Sequence, residues 1–225
     1  MFLTQMHLNP ARRGTRQLLS SPQRMHAAVM AAFPPDTDPS SGTSTVAGGG
    51  EGRVLWRVDR NQHAIALYIS SPDQPDLTHV VEQAGWPASA TSWRTTATDA
   101  FQARLETDQE WVFRLTANPV HTVRGADGAR GKRLAHVTIE QQEQWLHSRA
   151  EARGFKVISA AISRRETVTF TRRTDGQGRK VTLAVATYDG LLRVTDPDQL
   201  RATLASGIGR AKGYGCGLMT LAPPR

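Results

Sequence analysis

The segment Glu110-Trp-Val-Phe-Arg-Leu-Thr-Ala-Asn-Pro119 divides the chain into two runs of predicted elements. Glu110–Thr116 is typical of a β-strand. Asn118-Pro119 then interrupts regular structure, because proline lacks a backbone N–H. We therefore predict a first unit that ends at residue 115 and a second that begins at residue 116. The elements on either side of this break decide the fold.

Upstream of the break, the pattern predicts the element order β-α-β-β-(α)-β. Ser20-Ser21-Pro22 is typical of a helix start, and Pro34-Pro35 ends that helix. Residues 36–50 are predicted to be a loop, and residues 76–108 a short helix with irregular chain. The strands are predicted at Met1–Leu8, Arg53–Asp59, Ala64–Ser70 and Glu110–Thr116. This is the order of a ferredoxin-like fold.

Downstream of the break, a similar order of elements returns. Thr138 to Gln141 fits a capping box and opens a helix to about Arg153, with Gly154 as its stop. Asp196-Pro197 starts another helix that ends at Gly207. Strands are predicted at Val120–Val123, Phe155–Ile162, Thr167–Arg172, Lys180–Tyr188, Leu191–Val194 and Gly217–Leu221. We predict an α+β protein with two tandem ferredoxin-like (RRM-like) domains, residues 1–115 and 116–225.

Positive charge is concentrated in the second half of the chain. The sequence contains 28 Lys+Arg and 20 Asp+Glu. Residues 1–115 have 10 basic and 11 acidic side chains, whereas residues 116–225 have 18 and 9. This asymmetry indicates a polyanionic partner, with a solubilising surface as the alternative. Nucleic acid is favoured over lipid, because no basic amphipathic helix with an aromatic face stands out.

A predicted β-hairpin carries much of this charge. Thr167–Arg173 and Arg179–Tyr188 flank Asp175-Gly176, which is a common turn sequence. The cations at the tip are Arg172, Arg173, Arg179 and Lys180. Such crowding favours an anion between the side chains, and a β-ribbon is narrow enough to enter a nucleic-acid groove. A solvated hairpin tip is the alternative interpretation.

The stretch from Gly207 to Gly217 is rich in glycine and contains Arg210 and Lys212. It follows a helix and precedes a strand, so it is neither a Rossmann turn nor a Walker loop. Closely spaced glycines allow backbone N–H groups to converge on phosphate oxygens. Tight packing is the alternative use of these glycines.

The composition argues against a metal or cofactor enzyme. The seven histidines are scattered without metal-site spacing, and Cys216 is the single cysteine. We therefore predict no disulfide, no metal and no cofactor, and we expect a cytoplasmic protein. No apolar run approaches the length of a membrane span. RNA can still be cut by its own 2′-hydroxyl if side chains move the protons and stabilise the phosphorane.

His26 is the best-placed residue for such proton transfer. It lies in the first turns of the first predicted helix, one residue from the apolar stripe of Met25 and Val29. A side chain at the edge of a buried face is oriented yet reachable. The helix N-terminus would lower the pKa of His26, whereas a bound phosphate would raise it. The sequence alone does not decide which effect is larger. A packing or surface histidine is the alternative.

Three stretches of the sequence resemble the CasE endoribonucleases of type I-E CRISPR systems. Gly207–Pro223 is similar to the closing glycine-rich signature of that family. Phe113–Pro119 is similar to its strand and Asn-Pro entry into the second domain. The third stretch is extended Met1–Leu8, followed by a helix that carries His26 and closes on Phe33-Pro34. The resemblance runs nearly end to end, although the middle is loosely covered.

The resemblance implies a metal-independent endoribonuclease with two ferredoxin-like domains. Such an enzyme cleaves CRISPR repeat RNA at the base of its hairpin by 2′-hydroxyl attack. It stays on the 3′ hairpin of the crRNA, with the other Cascade subunits as partners. The family's catalytic histidine falls on His26, by its spacing to Phe33-Pro34. Members often have a tyrosine three residues earlier, where this chain has Gln23, so Arg24, or a cation from elsewhere, is the candidate for stabilising the transition state.

The main alternative is a non-catalytic RNA-binding subunit of a ribonucleoprotein complex. Aromatic residues are only 6% of the chain and no RNP-like run appears, which argues against RRM-type stacking on a sheet. A purely structural assembly subunit is a further alternative, and no acidic cluster supports a metal-dependent nuclease. In every RNA-binding interpretation the candidate contacts are Arg164, Arg165, Arg172, Arg173, Arg179, Lys180, Gly209, Arg210, Lys212, Gly213 and Gly215.

Overall fold

The computed structural model describes residues 1–34, 52–86, 92–123, 132–174 and 177–224, without the side chains of residues 132, 173 and 174. The chain forms two compact units. Unit 1 comprises Met1–Arg104 and Lys212–Gly215, and unit 2 comprises Leu105–Ala211 and Cys216–Arg225. The loop predicted at residues 36–50 lies outside the described residues.

Unit 1 is a four-stranded antiparallel sheet with helices. In chain order its elements are β1 (Phe2–Leu8), α1 (Arg13–Leu19), α2 (Pro22–Met30), β2 (Leu55–Arg60), β3 (Ile65–Ser71), α3 (Thr78–Ala84), β4 (Trp93–Ala97) and α4 (Asp99–Ala103). The strand order is β2-β3-β1-β4. A fourth strand beside the first, with helices between the strand pairs, is the ferredoxin-like arrangement. The predicted fold class is confirmed for this unit.

The core of unit 1 lies between one face of its sheet and its helices. Met6 on β1 and Ile69 on β3 are fully buried, as are Met25 and Val29 on α2. Because Met25 and Val29 are four residues apart, they lie on the same face of α2. Their burial fixes the rotation of the helix about its axis and therefore the direction of every other side chain on it.

Unit 2 has the same strand arrangement with an inserted ribbon. In chain order its elements are β5 (Glu110–Ala117), β6 (Val120–Val123), β7 (Lys132–Ala135), α5 (Ile139–Ala150), β8 (Phe155–Thr174), β9 (Gln177–Val194), α6 (Pro197–Ser206) and β10 (Met219–Ala222). The main sheet has the order β10-β5-β9-β8, and β6 pairs with β7 in a separate ribbon. The second ferredoxin-like fold is confirmed.

The strand on which the predicted division rests belongs to unit 2 rather than unit 1. β5 pairs with β9 along its whole length and with β10 over Val112–Leu115. The assignment of Glu110–Thr116 to the first unit was therefore wrong, and the predicted boundary at residue 115 falls within β5. Val120–Val123 is extended as predicted, but it belongs to the ribbon and not to the main sheet of unit 2.

The fourth strand of unit 1 is β4, within the stretch predicted to be a short helix with irregular chain. β4 has five residues, pairs with β1 alone and has no buried side chain. A short edge strand of this kind lacks the apolar alternation by which strands are predicted. α1 was likewise missed, since its N-terminus has no side-chain cap.

Local signals at the other helix ends are confirmed. Thr138 and Gln141 form a reciprocal capping box at the start of α5. The Asp196 side chain accepts a hydrogen bond from the Gln199 backbone N–H at the start of α6. Gly154 follows α5 and a 3-10 turn with φ of 78°, a conformation that favours glycine. None of the helices in the described part of the chain is long and apolar enough to cross a membrane.

The predicted basic hairpin is the pair β8 and β9. The two strands pair from Phe155 opposite Val194 to Thr174 opposite Gln177. Register shifts after Val157 and after Ile162 interrupt the ladder. The second coincides with the predicted break between Phe155–Ile162 and Thr167–Arg172, whereas the first lies within a predicted strand. The residues Asp175-Gly176, expected at the turn, lie outside the described residues.

Candidate active site and nucleic-acid interface

α2 places His26 at the edge of the unit 1 core. Ser21 is the extended N-cap residue and Pro22 occupies the first turn, as the sequence predicts, but the Ser21 side chain makes no capping hydrogen bond. Met25 is 1% exposed, whereas the adjacent His26 is half-buried. The position one step from the buried stripe is confirmed. The side chain is thus held by the core on one side and remains accessible on another.

The segment Lys212–Gly215 lies against this histidine within unit 1. A Cβ atom built on Gly213 would lie 3.6 Å from Cε1 and 3.7 Å from Nε2 of His26. Gly215 has φ of 82°, and a Cβ atom there would lie 2.7 Å from Cζ3 of Trp56. Only glycine fits that position without strain. Gly215 therefore packs on the Trp56 ring, while Gly213 brings bare backbone to the imidazole.

The environment of His26 favours its neutral form. Burial is the larger cause and the charge of Arg53 is the smaller one, and both lower the pKa of His26 from 6.5. Its Nδ1 atom is buried and has no hydrogen-bond partner among the described residues. We therefore expect Nε2 to be the ring nitrogen that reaches a substrate. A neutral imidazole at neutral pH can accept a proton.

Two cations belong to this site. Arg53 lies just before β2, is exposed, and acts electrostatically on His26. Lys212 is half-buried and immediately precedes Gly213. Sequence reasoning identified Lys212 through the glycine-rich stretch but missed Arg53. No local pattern links Arg53 to a helix that ends more than twenty residues earlier.

Arg24 is less well placed than predicted. Its Nη1 donates a 3.4 Å hydrogen bond to Oγ of Ser20. Residues two apart on an α-helix do not face each other, so Arg24 and His26 point in different directions. Gln23, three residues before His26, does share its face. An amide at that position can donate a hydrogen bond but cannot transfer a proton.

The hairpin cations are divided between the two faces of the ribbon. Arg172 lies directly opposite Arg179, whereas Lys180 lies opposite Thr171 and so points to the other face. All three cations are exposed. Like charges directly opposite each other destabilise a strand pair unless an anion neutralises them. The side chain of Arg173 lies outside the described residues.

Arg164 and Arg165 already have partners in unit 2. Arg164 forms a 2.8 Å ion pair with Glu166. Arg165 donates from Nε to Oε1 of Gln142 at 2.9 Å and from Nη2 to the carbonyl oxygen of Val137. The Arg165 guanidinium therefore ties β8 to the start of α5. Both side chains are exposed but less available to an incoming phosphate than the hairpin cations.

The glycine-rich stretch is shared between the two units. Gly209 has φ of 81°, and a Cβ atom there would lie 3.0 Å from Cζ2 of Trp145, within unit 2. Arg210 is exposed and its backbone bridges to buried Asn118, part of the Asn-Pro pair. Of the predicted contacts in this stretch, the structure brings Gly213 to His26, and Lys212 immediately precedes it in the chain. Gly209 and Arg210 belong to unit 2.

The described residues contain one buried cysteine and no cluster of side chains of the kind that hold a metal ion. Burial raises the pKa of Cys216 to about 12, so its enclosed thiol stays protonated. Within the described ranges, no three His, Cys, Asp or Glu side chains gather in a group that could hold a metal ion. The groups that the described residues gather around His26 are glycine backbone and the charge of Arg53.

Comparison with known proteins agrees with this architecture. The chain is 29% identical to the CRISPR-associated endoribonuclease Cse3 of Thermus thermophilus over 99% of its own length and all of that protein. It is 27% identical to the CRISPR system Cascade subunit CasE of Escherichia coli, over 75% of this chain and 88% of that one. A structure of Cse3 bound to a 19-nucleotide RNA superimposes with a TM-score of 0.76 at 27% identity, covering 99% of both chains. Because the model of the family described as "CRISPR associated protein" matches residues 1–223, this chain belongs to that family.

Proposed function

We propose that this protein is an endoribonuclease that cuts CRISPR repeat RNA beside His26 without a metal ion. The observation that carries the proposal is a half-buried imidazole of lowered pKa held against Gly213. It occurs in a chain whose relative from Thermus thermophilus is named an endoribonuclease. A second relative is named a Cascade subunit, and we propose the same assembly for this chain, in the cytoplasm.

In the proposed reaction, the 2′-hydroxyl oxygen attacks the neighbouring phosphorus and the bond to the 5′-oxygen breaks. The products are a 2′,3′-cyclic phosphate and a free 5′-hydroxyl. Nε2 of neutral His26 takes the 2′-hydroxyl proton, and the resulting imidazolium can return it to the leaving oxygen. Arg53 and Lys212 stabilise the phosphorane charge. We propose Arg53 rather than Arg24 for this role, because Arg24 does not share a helical face with His26.

The basic hairpin is proposed to hold the stem of the repeat RNA. Arg172 and Arg179 are exposed and directly opposed on one face, so a phosphate between them would remove their repulsion. Lys180 adds a positive charge on the opposite face of the ribbon. The Lys212–Gly215 segment is proposed to contact a phosphate near the cut, and Arg210 is proposed to contact another phosphate of the RNA. Binding of the stem by residues other than His26 would allow the enzyme to remain on its product.

Cleavage of repeat RNA in EDTA tests this proposal. Wild-type protein should cut the RNA of the neighbouring CRISPR array in chelator. It should leave intact an RNA with a single 2′-deoxy substitution just upstream of the cut. His26→Ala should abolish cutting and leave RNA affinity nearly unchanged.

Lys156→Gln, at an exposed position far along β8 from the hairpin tip, is the matched control and should cut normally. Loss of cutting in EDTA would overturn metal independence. Tight binding without cutting would identify a non-catalytic RNA-binding subunit. Unchanged cutting by His26→Ala would remove the histidine assignment.

A further inference from the structure

A basic surface in unit 1 lies apart from the residues that are proposed to act in cleavage. It is formed by Arg12, Arg13 and Arg16 at α1 together with Trp86, which follows α3, and is called the Arg–Trp patch below. α1 packs closely on the end of α3, since a Cβ atom on Gly14 would lie 2.1 Å from the carbonyl oxygen of Gln83. The two elements therefore form one surface.

Hydrogen bonds fix α1 and the residue before Trp86 to each other. Oγ1 of Thr15 donates to the carbonyl oxygen of Ala84 at 3.0 Å. Nη1 of Arg12 donates to the carbonyl oxygens of Val81 at 3.2 Å and Gly85 at 3.4 Å. Gly85 directly precedes Trp86, whose side chain is 49% exposed. A large exposed indole thus follows a rigidly anchored backbone.

Arg13 and Arg16 extend the positive charge along α1. Both are exposed, and residues three apart on a helix are neighbours on its surface. In the described part of the chain, no carboxylate lies within ion-pair distance of Arg12, Arg13 or Arg16. Adjacent like charges repel each other, and a bound polyanion would remove that repulsion.

We propose that the Arg–Trp patch binds single-stranded RNA that continues from the repeat hairpin, with a base stacked on Trp86 and phosphates on Arg13 and Arg16. Proteins that hold single strands combine these two features, a cationic surface and an aromatic platform. A paired stem offers no free base face to an indole, so the stem itself is not the ligand. The identity of the RNA rests on the proposed function, whereas the preference for a single strand rests on the patch.

Affinity for three RNAs tests the inference. They are the hairpin alone, the hairpin with about eight nucleotides added at its 5′ end, and the hairpin with about eight added at its 3′ end. About eight nucleotides lie within the site sizes of proteins that bind single strands. Each carries the 2′-deoxy substitution that prevents cutting. One extension should increase wild-type affinity and so identify the flank that is bound. Trp86→Ala should reduce affinity for that RNA by roughly 5- to 150-fold, which corresponds to the range measured for loss of one stacked base.

The double variant Arg13→Gln, Arg16→Gln should lower the slope of log affinity against log salt by about 1.4 for that RNA, at 0.7 per single-strand phosphate contact. Both variants should bind the hairpin alone as wild type does, and Lys156→Gln should match wild type throughout. The inference is overturned if neither extension increases the affinity of wild type. It is also overturned if the increase is unchanged in both Trp86→Ala and the double variant.

Failure of wild type to bind even the hairpin would count against the proposed function and not against the patch. In that case, tryptophan fluorescence with a free eight-nucleotide single strand decides the inference. Quenching in wild type that is lost in Trp86→Phe supports the patch. Equal quenching in the two proteins, or none in wild type, overturns it.

Discussion

At the scale of single residues, two neighbours act on His26 in different ways. Gly213 lies beside the half-buried ring, at a distance where an added Cβ atom would be in van der Waals contact with it. Arg53 adds a positive charge that disfavours the imidazolium. The same charge would attract the phosphate of a substrate. Burial and the charge of Arg53 therefore both favour a neutral imidazole, as the proposed reaction requires.

The pH dependence of cutting should report this environment. If neutral His26 removes the 2′-hydroxyl proton, the rate rises with pH as the imidazole loses its proton. Because the pKa is lowered, the inflection should lie below 6.5 and the rate should be level at neutral pH. Arg53→Gln should move the inflection upward but not fully to 6.5, since burial is the larger cause. Single-turnover rates at sub-saturating protein measure the pKa of the free enzyme.

Arg24→Gln is the matched control for this series, because it removes a guanidinium from α2 that does not face His26. Its inflection should coincide with that of wild type. An inflection that moves in Arg24→Gln and stays fixed in Arg53→Gln would reverse the assignment of these two arginines.

At the scale of elements, the long hairpin of β8 and β9 places like charges opposite each other near its tip, and this pairing does not stabilise the fold. Arg172 and Arg179 oppose each other across the ladder. Further along β8, Arg164 and Arg165 are occupied by Glu166 and by groups at the start of α5. Among the described residues, the arginines further along β8 thus have partners within unit 2, whereas neither Arg172 nor Arg179 near the tip forms an ion pair. That division is expected if the tip enters a nucleic-acid groove.

Removal of the opposed pair should weaken RNA binding through electrostatics alone. The double variant Arg172→Gln, Arg179→Gln should reduce the slope of log affinity against log salt by roughly two, one for each phosphate contact. Its thermal stability should equal or exceed that of wild type, because a like-charge pair has been removed. Filter binding of repeat RNA at several salt concentrations measures the slope. Lys156→Gln should leave it unchanged, and an unaltered slope in the double variant would place the stem elsewhere.

At the scale of the whole molecule, the two ferredoxin-like units divide the chain differently from its sequence halves. Over their full ranges, unit 1 has 10 basic and 8 acidic residues, and unit 2 has the remaining 18 of 28 and 12 of 20. The net charges are therefore +2 and +6. The contrast is weaker than between the sequence halves, because Glu106, Asp108 and Glu110 belong to unit 2. The larger excess still lies on the unit that carries the hairpin.

The place of β5 in unit 2 predicts how fragments behave. A fragment of residues 105–225 keeps β5, which pairs with both β9 and β10. A fragment of residues 116–225 loses most of that central strand, so β10 has no partner in the main sheet. Circular dichroism and thermal melting should show a cooperative fold for the longer fragment and none for the shorter. Equal behaviour of the two fragments would contradict the pairing.

Features that depend on residues close together in the sequence could be predicted from the sequence alone. The capping box of α5, the aspartate cap of α6 and the serine-proline start of α2 involve groups within four residues of each other, so each could be predicted. The same holds for the position of His26 at the edge of the α2 core face. The ferredoxin-like order was also predictable, because it needs only the succession of elements.

Tertiary structure alone decided which distant segments meet. The sequence could not tell that β4 rather than β5 completes unit 1, because an edge strand buries too little to leave an apolar pattern. Nor could it bring Gly213 and Arg53 to His26. Such contacts form because core packing sets the rotation of α2 and the path of the chain, and that information is spread over many residues remote in sequence.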